Sequence, residues 1–321
     1  MKFTHKQHRF FYNIKGIFRM LTPPFLLPLN FDTDDLEVQK AYIDERVRYY
    51  CDFAPNSNLP LSAKVLKDFR FSRKKTVYFF DFWELARYFP QKLKANTFFA
   101  DCSFCFESPT ICKNRPIFEE FDNNHTGFSV KNSVLLNFDK IRHFVFVKDE
   151  IPLREKKGVL FWRGGVYQAH RQRFFEACFG KNFCDIGHVG KDEGQNKAWT
   201  KPFASLSEHL QHRYICAVEG NDVASNLKWI MSSNSVAVCP KPRYESWFME
   251  GRLVGGEHFV EVADDWSDVA EKLAYYNEHL DELEAIRRNA NAYVAQFLDA
   301  KREKFVELLT LRRYFELTGQ I

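Results

Sequence analysis

The sequence predicts an α/β protein of two domains in which short apolar strands alternate with helices around a parallel sheet. Three observations carry this. Residues 214–239 run as strand, tight turn, helix and strand: YICAV, then EGND, then a stretch placing Leu227, Ile230 and Met231 on one side, then SVAVC stopped by Pro240 and Pro242. Two strands joined by a helix over so short a span form a βαβ unit, which requires a parallel sheet with a right-handed crossover. Residues 76–80 and 159–163 are further continuous apolar runs of the kind found in strands buried on both faces. Finally, 321 residues exceed one typical domain.

Composition narrows the function classes. Hydrophobic residues make up 45% and charged residues 27%, the balance of a soluble globular chain with a sizeable core. A net charge of +4 permits a phosphorylated or acidic partner and falls short of a nucleic-acid footprint. Phenylalanine, at 34 residues, points to large aromatic interfaces and to no chemistry by itself. The eight cysteines are scattered through a chain without a secretory signal, so reduced thiols in a cytoplasm are expected. Cys102-x-x-Cys105 and Cys112 lack a fourth ligand at metal spacing, and no zinc site is read from them.

In chain order, residues 1–31 carry Lys2, Lys6, Arg9, Lys15 and Arg19 with no acid before Asp32, interleaved with Phe3, Phe10, Phe11, Tyr12, Ile14, Ile17 and Phe18. No apolar run approaches the ~20 residues of a spanning helix. Such a segment either lies through residues 1–20 in an anionic membrane interface or packs on its domain with solvated lysines. Asp32-x-Asp34 has the look of a metal motif, but acids at 34–37 suit the first turn of a helix, and the capping reading is taken.

The run 76–80 reads as a strand with Asp81 at its carboxyl end, where partial desolvation suits an acid to general-base work. The same aspartate equally caps a following helix. Asp101, after TFFA, repeats the arrangement and is the runner-up. Short strands are expected at 133–138 and 143–147. The charged stretch 148–158 marks a domain boundary, giving an N-terminal domain 1–150, a C-terminal domain 151–300 and a helix in 301–321 that returns to the first domain.

In the second domain a strand ends at Arg163, followed by Gly164 and Gly165, with His170, Arg171 and Arg173 one helical entry later. Guanidinium groups around a glycine turn suit a diphosphate, which arginine pairs bidentately. Neither a Gly-x-Gly-x-x-Gly nor a P-loop motif occurs, which speaks against dehydrogenase and P-loop readings. Beyond the strand of the βαβ unit lie Glu219, Asn221, Asp222, Ser225, Asn226 and Lys228, then Lys241, Arg243 and Glu245. Donors for a diphosphate and an acid for ribose hydroxyls suit a sugar nucleotide at the carboxyl ends of parallel strands. The same residues also describe an ordinary βαβ unit with a solvated polar rim. Helices are expected at 267–279, 280–297 and 301–315.

Two blocks, NSVLLNFDKIRHFVFVKDEIPLREKKGVLFWRGG and AVEGNDVASNLKWIMSSNSVAVCPKPRYESWFMEG, resemble glycosyltransferase family 90, and within it the bacterial lipopolysaccharide branch. The resemblance spans roughly residues 75–300 and is weak before residue 70. It implies a GT-B architecture, two Rossmann-like domains facing a cleft with the donor mainly on the C-terminal one. It implies an inverting, metal-independent transfer with a strand-end aspartate as base, matched here by Asp81. The family's Phe-Arg-Gly-Ser turn matches Arg163, Gly164 and Gly165, with Arg171 as its second arginine. Asp185, the Asn196–Trp199 block and Ser225 match further donor-side positions. Animal members carry an arginine on the diphosphate where this chain has Ser225-Asn226-Leu227-Lys228, so Lys228 takes that charge.

The expected function is therefore transfer of a sugar from a nucleotide donor, a UDP-sugar, to a lipopolysaccharide-type glycan, without metal or other cofactor and without nucleic acid. The enzyme is expected in the cytoplasm, peripheral on the inner membrane. Asp81 is expected to deprotonate the acceptor. Arg163, Arg171 and Lys228 are expected to neutralise the diphosphate, and Glu245 to hold the ribose. A non-catalytic carbohydrate- or nucleotide-binding protein on the same fold, and a protein O-glycosyltransferase, are the alternatives.

Overall fold

The computed structural model describes residues 2–3, 8–26, 38–71, 76–117, 128–190 and 196–321. Its helices are α1 (Arg9–Leu21), α2 (Lys40–Tyr50), α3 (Thr76–Ala86), α4 (Lys140–His143), α5 (Ala169–Cys178), α6 (Leu206–His209), α7 (Leu227–Met231), α8 (Val269–Glu278), α9 (Leu280–Ala295) and α10 (Ala300–Leu317). The strands are β1 (Lys2–Phe3), β2 (Lys64–Val65), β3 (Lys94–Ala95), β4 (Thr110–Cys112), β5 (Asn114–Pro116), β6 (Ser133–Leu135) and β7 (Val147–Lys148). They continue with β8 (Lys157–Gly164), β9 (Cys184–His188), β10 (His212–Cys216), β11 (Val236–Cys239), β12 (Tyr244–Ser246) and β13 (Val260–Glu261). The Asp32-x-Asp34 segment, its expected helix cap and the loop at 122–125 lie outside the described residues.

The chain divides into two compact units. One comprises Met1–His5, Val145–Pro242 and Gly251–Gln296; the other comprises Lys6–Phe144, Arg243–Glu250 and Phe297–Ile321. The stretch 148–158 lies inside the first unit, and the chain changes unit at residues 144–145.

The first unit is built on a five-stranded sheet in the order β13-β11-β10-β8-β9, parallel throughout. Tyr214 stands beside Leu160 on one side and Val236 on the other. Strands buried on both faces need apolar residues at every position, which the runs LFW, YIC and VAV supply. The core joins Leu160, Trp162, Ile186, Val236 and Val238 to Phe174 and Phe175 of α5 and to Leu283 and Ile286 of α9. Helix α7 spans little more than the stripe of Leu227, Ile230 and Met231, because Ala217–Asn226 is spent as a loop.

The second unit holds most of the phenylalanines. Its strands are short: β4 pairs with β6 in parallel, Thr97 adds a parallel bridge to Ile111, and β5 pairs with β12 antiparallel. Here one expectation is corrected: residues 76–86 form helix α3, not a strand followed by a turn. The segment is apolar on nearly every side, so it shows no helical period, and a short continuous apolar run does not distinguish a buried strand from a buried helix. Phe79, Phe80, Phe82 and Leu85 of α3 pack with Ile111, Val134 and Phe138 and with Leu311, Tyr314 and Phe315 of α10. The expected strand at 143–147 is likewise largely replaced, with α4 ending at His143 and only Val147–Lys148 in a strand.

Candidate functional site

In the first unit the chain runs from β8 outward to β9, then returns to place β10 on the opposite side of β8. The strand order therefore reverses between β8 and β10, and the carboxyl ends at such a reversal are the usual ligand position in open parallel sheets. The loops 164–168 and 217–226 leave the two strands there. Arg171, on α5, spans the two: Nη1 donates to the Gly165 carbonyl (2.8 Å), Nη2 to Val218 (3.0 Å) and Nε to Glu219 (2.8 Å). His170 Nε2 meets the Glu219 carbonyl at 2.8 Å, and the Gln168 amide donates to Asn221. Burial lowers the Arg171 guanidinium to about 10. Each of its terminal nitrogens keeps a second N–H beyond the bond named.

Arg163 goes elsewhere. Its guanidinium turns toward β9, donating to the carbonyls of Trp162 and Asp185 (3.0 and 2.8 Å) and to Asp185 Oδ1 (2.9 Å), and lies over the Phe161 ring. Lys201 Nζ meets the same Asp185 oxygen at 2.7 Å. Phe161, Arg163 and Asp185 line a cavity of about 290 Å³ together with Phe203, Glu208 and His212. The two arginines expected on one diphosphate thus secure opposite sides of β8. The glycines between them are also crowded by the protein itself: a Cβ would lie 2.5 Å from the Trp162 ring at Gly164 and 2.3 Å from the Tyr167 ring at Gly165.

Of the residues expected on the βαβ turn, Asn226 donates to the Cys216 carbonyl at 2.7 Å and so fixes the loop leaving β10. Ser225, its neighbour, is half-buried, and Lys228 on α7 is fully buried. Glu245 departs from expectation. It lies on β12 in the second unit, where Arg115 Nε donates to Oε1 (2.7 Å) and the Tyr49 hydroxyl to Oε2. Arg115 is buried beside it and also reaches the carbonyls of Ser133 and Tyr49. The reason is pairing: β12 is an antiparallel partner of β5, 130 positions earlier at Glu245↔Arg115.

Asp81 sits in the middle of α3, 1% exposed. The Tyr12 hydroxyl donates to Oδ1, and the backbone N–H groups of Asp139 (2.8 Å) and Lys140 (3.4 Å) donate to Oδ2. Burial raises this carboxyl to about 8, against the pull of Lys140 and of the Tyr12 hydrogen bond. Asp101 contrasts with it. Its side chain is 30% exposed, and Oδ1 receives the buried Lys113 ammonium at 2.5 Å and Arg142 Nη2 at 3.3 Å. It follows Thr97, whose bridge to Ile111 continues the parallel pairing of β4 and β6, so Asp101 lies past the carboxyl end of a strand-like segment.

Residues 134–317 match the family described as glycosyl transferase family 90. The chain is also 37% identical over 321 residues to the O-glucosyltransferase LpsA of Dichelobacter nodosus, covering 98% of this chain and 97% of that protein. The chain belongs to glycosyltransferase family 90.

In this family 90 member the cysteines are free thiols, all buried except the partly exposed Cys184, and Cys102 Sγ donates to the Phe104 carbonyl. Among the described residues no group of three or more His, Cys, Asp or Glu side chains is disposed to hold a metal ion. Sequence reasoning missed Lys113, Arg115, Arg142 and Tyr49. Each earns its place through a partner from another segment, and no local motif announces such pairs. It also missed His188, buried at the end of β9, whose Nδ1 accepts the Val166 N–H at 3.0 Å and so fixes the loop after β8.

Proposed function

We propose that this chain transfers a sugar, glucose by analogy with its relative, from a nucleotide donor to a hydroxyl of a lipopolysaccharide-type glycan, with inversion and without a metal. The observation that carries the reading is the identity, spread over nearly the whole of both chains, to an O-glucosyltransferase. The reversal of strand order between β8 and β10 supports a donor site there. Arg171 keeps N–H groups for the diphosphate while holding both loops, and Asn226 fixes the loop leaving β10.

The base in this scheme is Asp101 rather than Asp81. A general base must touch the acceptor hydroxyl. Asp101 is the one of the two with exposed side-chain surface, and Lys113 and Arg142 fix its orientation. Asp81 has both oxygens committed to internal donors. Attack by the acceptor oxygen on the anomeric carbon breaks the bond to the diphosphate. Within the second unit Asp101 is the group to take the acceptor proton; within the first, Arg171 is the group to meet the charge of the leaving diphosphate. Glu245, paired with Arg115, is given an architectural task in this scheme instead of the ribose contact. The test is nucleotide release from a panel of UDP-sugars, with and without a glycan acceptor, and product mass read by spectrometry. Release of UDP from UDP-glucose with a hexose added to the acceptor is the expected result. Nucleotide binding with no turnover of any donor would overturn it in favour of a non-catalytic binder.

A further inference from the structure

Helix α1 is amphipathic in reverse. The face that seats it on α3 is narrow: Tyr12 and Gly16 are its buried residues, and Arg19 pairs with Glu84 at 2.7 Å. Gly16 lies so close to the Phe80 ring that a Cβ would stand 2.4 Å from it. Arg87 closes the far end by donating to the carbonyls of Arg19 and Thr22. At 100° per residue, Phe10, Ile14, Ile17, Phe18 and Leu21 fall on the side opposite Tyr12 and Gly16. They are exposed, Phe10 at 62%, Phe18 at 59% and Leu21 at 80%, and the chain continues with Phe25 at 77%. Water-soluble helices carry such a stripe inward, and a contiguous exposed one marks a surface that something covers.

Charge identifies the occupant. Arg9 and Lys15 are exposed on the flanks of this face, and residues 1–31 contain no acid at all. A second copy of the chain would bring the same cations to the same rim with no acid on the segment to meet them. An anionic bilayer supplies both halves of the match, headgroup charge for the cations and an acyl boundary for the aromatic and aliphatic side chains. Among the described residues no helix is long and apolar enough to cross a membrane, so α1 lies in the plane of the surface. We infer that α1 and the turn after it are an interfacial anchor that docks this protein on anionic lipid. A lipid-borne acceptor would be met there, and that link alone rests on the glycan reading above.

The test uses the full chain and vesicles of phosphatidylcholine with or without phosphatidylglycerol, in a co-sedimentation assay containing neither donor nor acceptor. Its result therefore stands apart from any result on transfer. The wild type is expected to bind the phosphatidylglycerol vesicles and to dissociate as salt is raised. Phe10→Gln with Ile14→Gln and Phe18→Gln, all exposed positions, should lower the partition coefficient at least about tenfold. Arg9→Glu with Lys15→Glu should do the same while leaving the apolar face intact. Arg19 is left alone because it pairs with Glu84. Circular dichroism melts check each fold, and the charge pair decides if the apolar variant melts early. The inference is overturned if the wild type ignores anionic vesicles, if both variants bind as it does, or if light scattering shows a wild-type dimer that the apolar variant dissociates.

Discussion

The Tyr12 hydroxyl donates to the Asp81 carboxyl, tying the middle of α1 to the middle of α3 in the interior of the second unit. The other Asp81 oxygen receives the N–H of Asp139, a residue held at φ 58°, in the left-handed region where a side chain is strained. That turn starts α4, whose Arg142 reaches Asp101 and returns to Asp139 Oδ2 at 3.0 Å. One buried carboxyl therefore fixes the exposed helix α1 on one side and the approach to the candidate base on the other. Glu84, one turn on, has a different balance. Burial works against its charge, yet Lys140, Arg19 and Lys304 hold it near 2.

A pH dependence of stability follows. Burial raises Asp81 to about 8 in the folded chain, whereas an unfolded aspartate titrates near 3.8. Between these values folding takes up a proton. The contribution is thus fully present below the lower value and lost as pH rises to the upper one. Its slope is at most about 1.4 kcal/mol per pH unit. Asp81→Asn, neutral at every pH, should flatten this fall in melting temperature between pH 5 and 8. Parallel wild-type and variant curves would show that Asp81 is ionised in the folded chain.

The two aspartates separate in kinetics. Asp101→Asn should lower turnover by about 10²–10⁴-fold with the donor KM little changed, the signature of a group used in the transition state. Asp81→Asn should stay within about tenfold of wild type, because it reaches the chemistry only through α4. The reverse ranking in steady-state assays would return the base to Asp81.

Much of the first unit is legible in the sequence because its strands are local apolar runs and its helices carry regular stripes. The runs around Phe161, Tyr214 and Val238 all become strands of one parallel sheet, and α8 and α9 fall within a few residues of expectation. The second unit is less legible. In α3 the aromatic residues face neighbours in all directions, and a helix buried all round has no polar side to reveal its period. The Asp101–Lys113–Arg142 cluster and the Arg115–Glu245 pair join segments 12 to 130 positions apart, and nothing at either end requires the other. Arg163 and Arg171 look alike in the sequence because eight residues on a strand–turn–helix do not say which neighbouring strand each will face.

Transfer should survive chelation. In the proposed scheme the diphosphate charge falls on Arg171, a cation already fixed between the loops after β8 and β10. Turnover measured in EDTA should match untreated enzyme within about twofold. Loss of activity restored by Mn²⁺ or Mg²⁺ would replace this scheme with a metal-assisted one and direct attention to Asp32 and Asp34.

Arg171 should prove costlier to lose than Arg163, and in a different way. Removing its guanidinium takes the donor from the carbonyls of Gly165 and Val218, and one of two ring or guanidinium contacts from Glu219, which His170 also meets, at the point where the loops after β8 and β10 separate. Arg171→Ala is expected to destabilise the fold by roughly 2–4 kcal/mol, the range for stripping a shared donor from buried acceptors. Arg171→Lys restores one charge but not the three-way fork, so it should recover little of that stability. In the proposed donor site both variants also raise the donor KM, because the loops and the diphosphate lose the same group. Arg163→Lys keeps a cation beside Asp185, where Lys201 already stands, and should change donor KM far less. Chemical denaturation and donor titration on the three variants give the answer. Equal effects on KM at both arginines would mean that the diphosphate bridges β8 after all, with Arg163 swinging away from Asp185 when the donor binds.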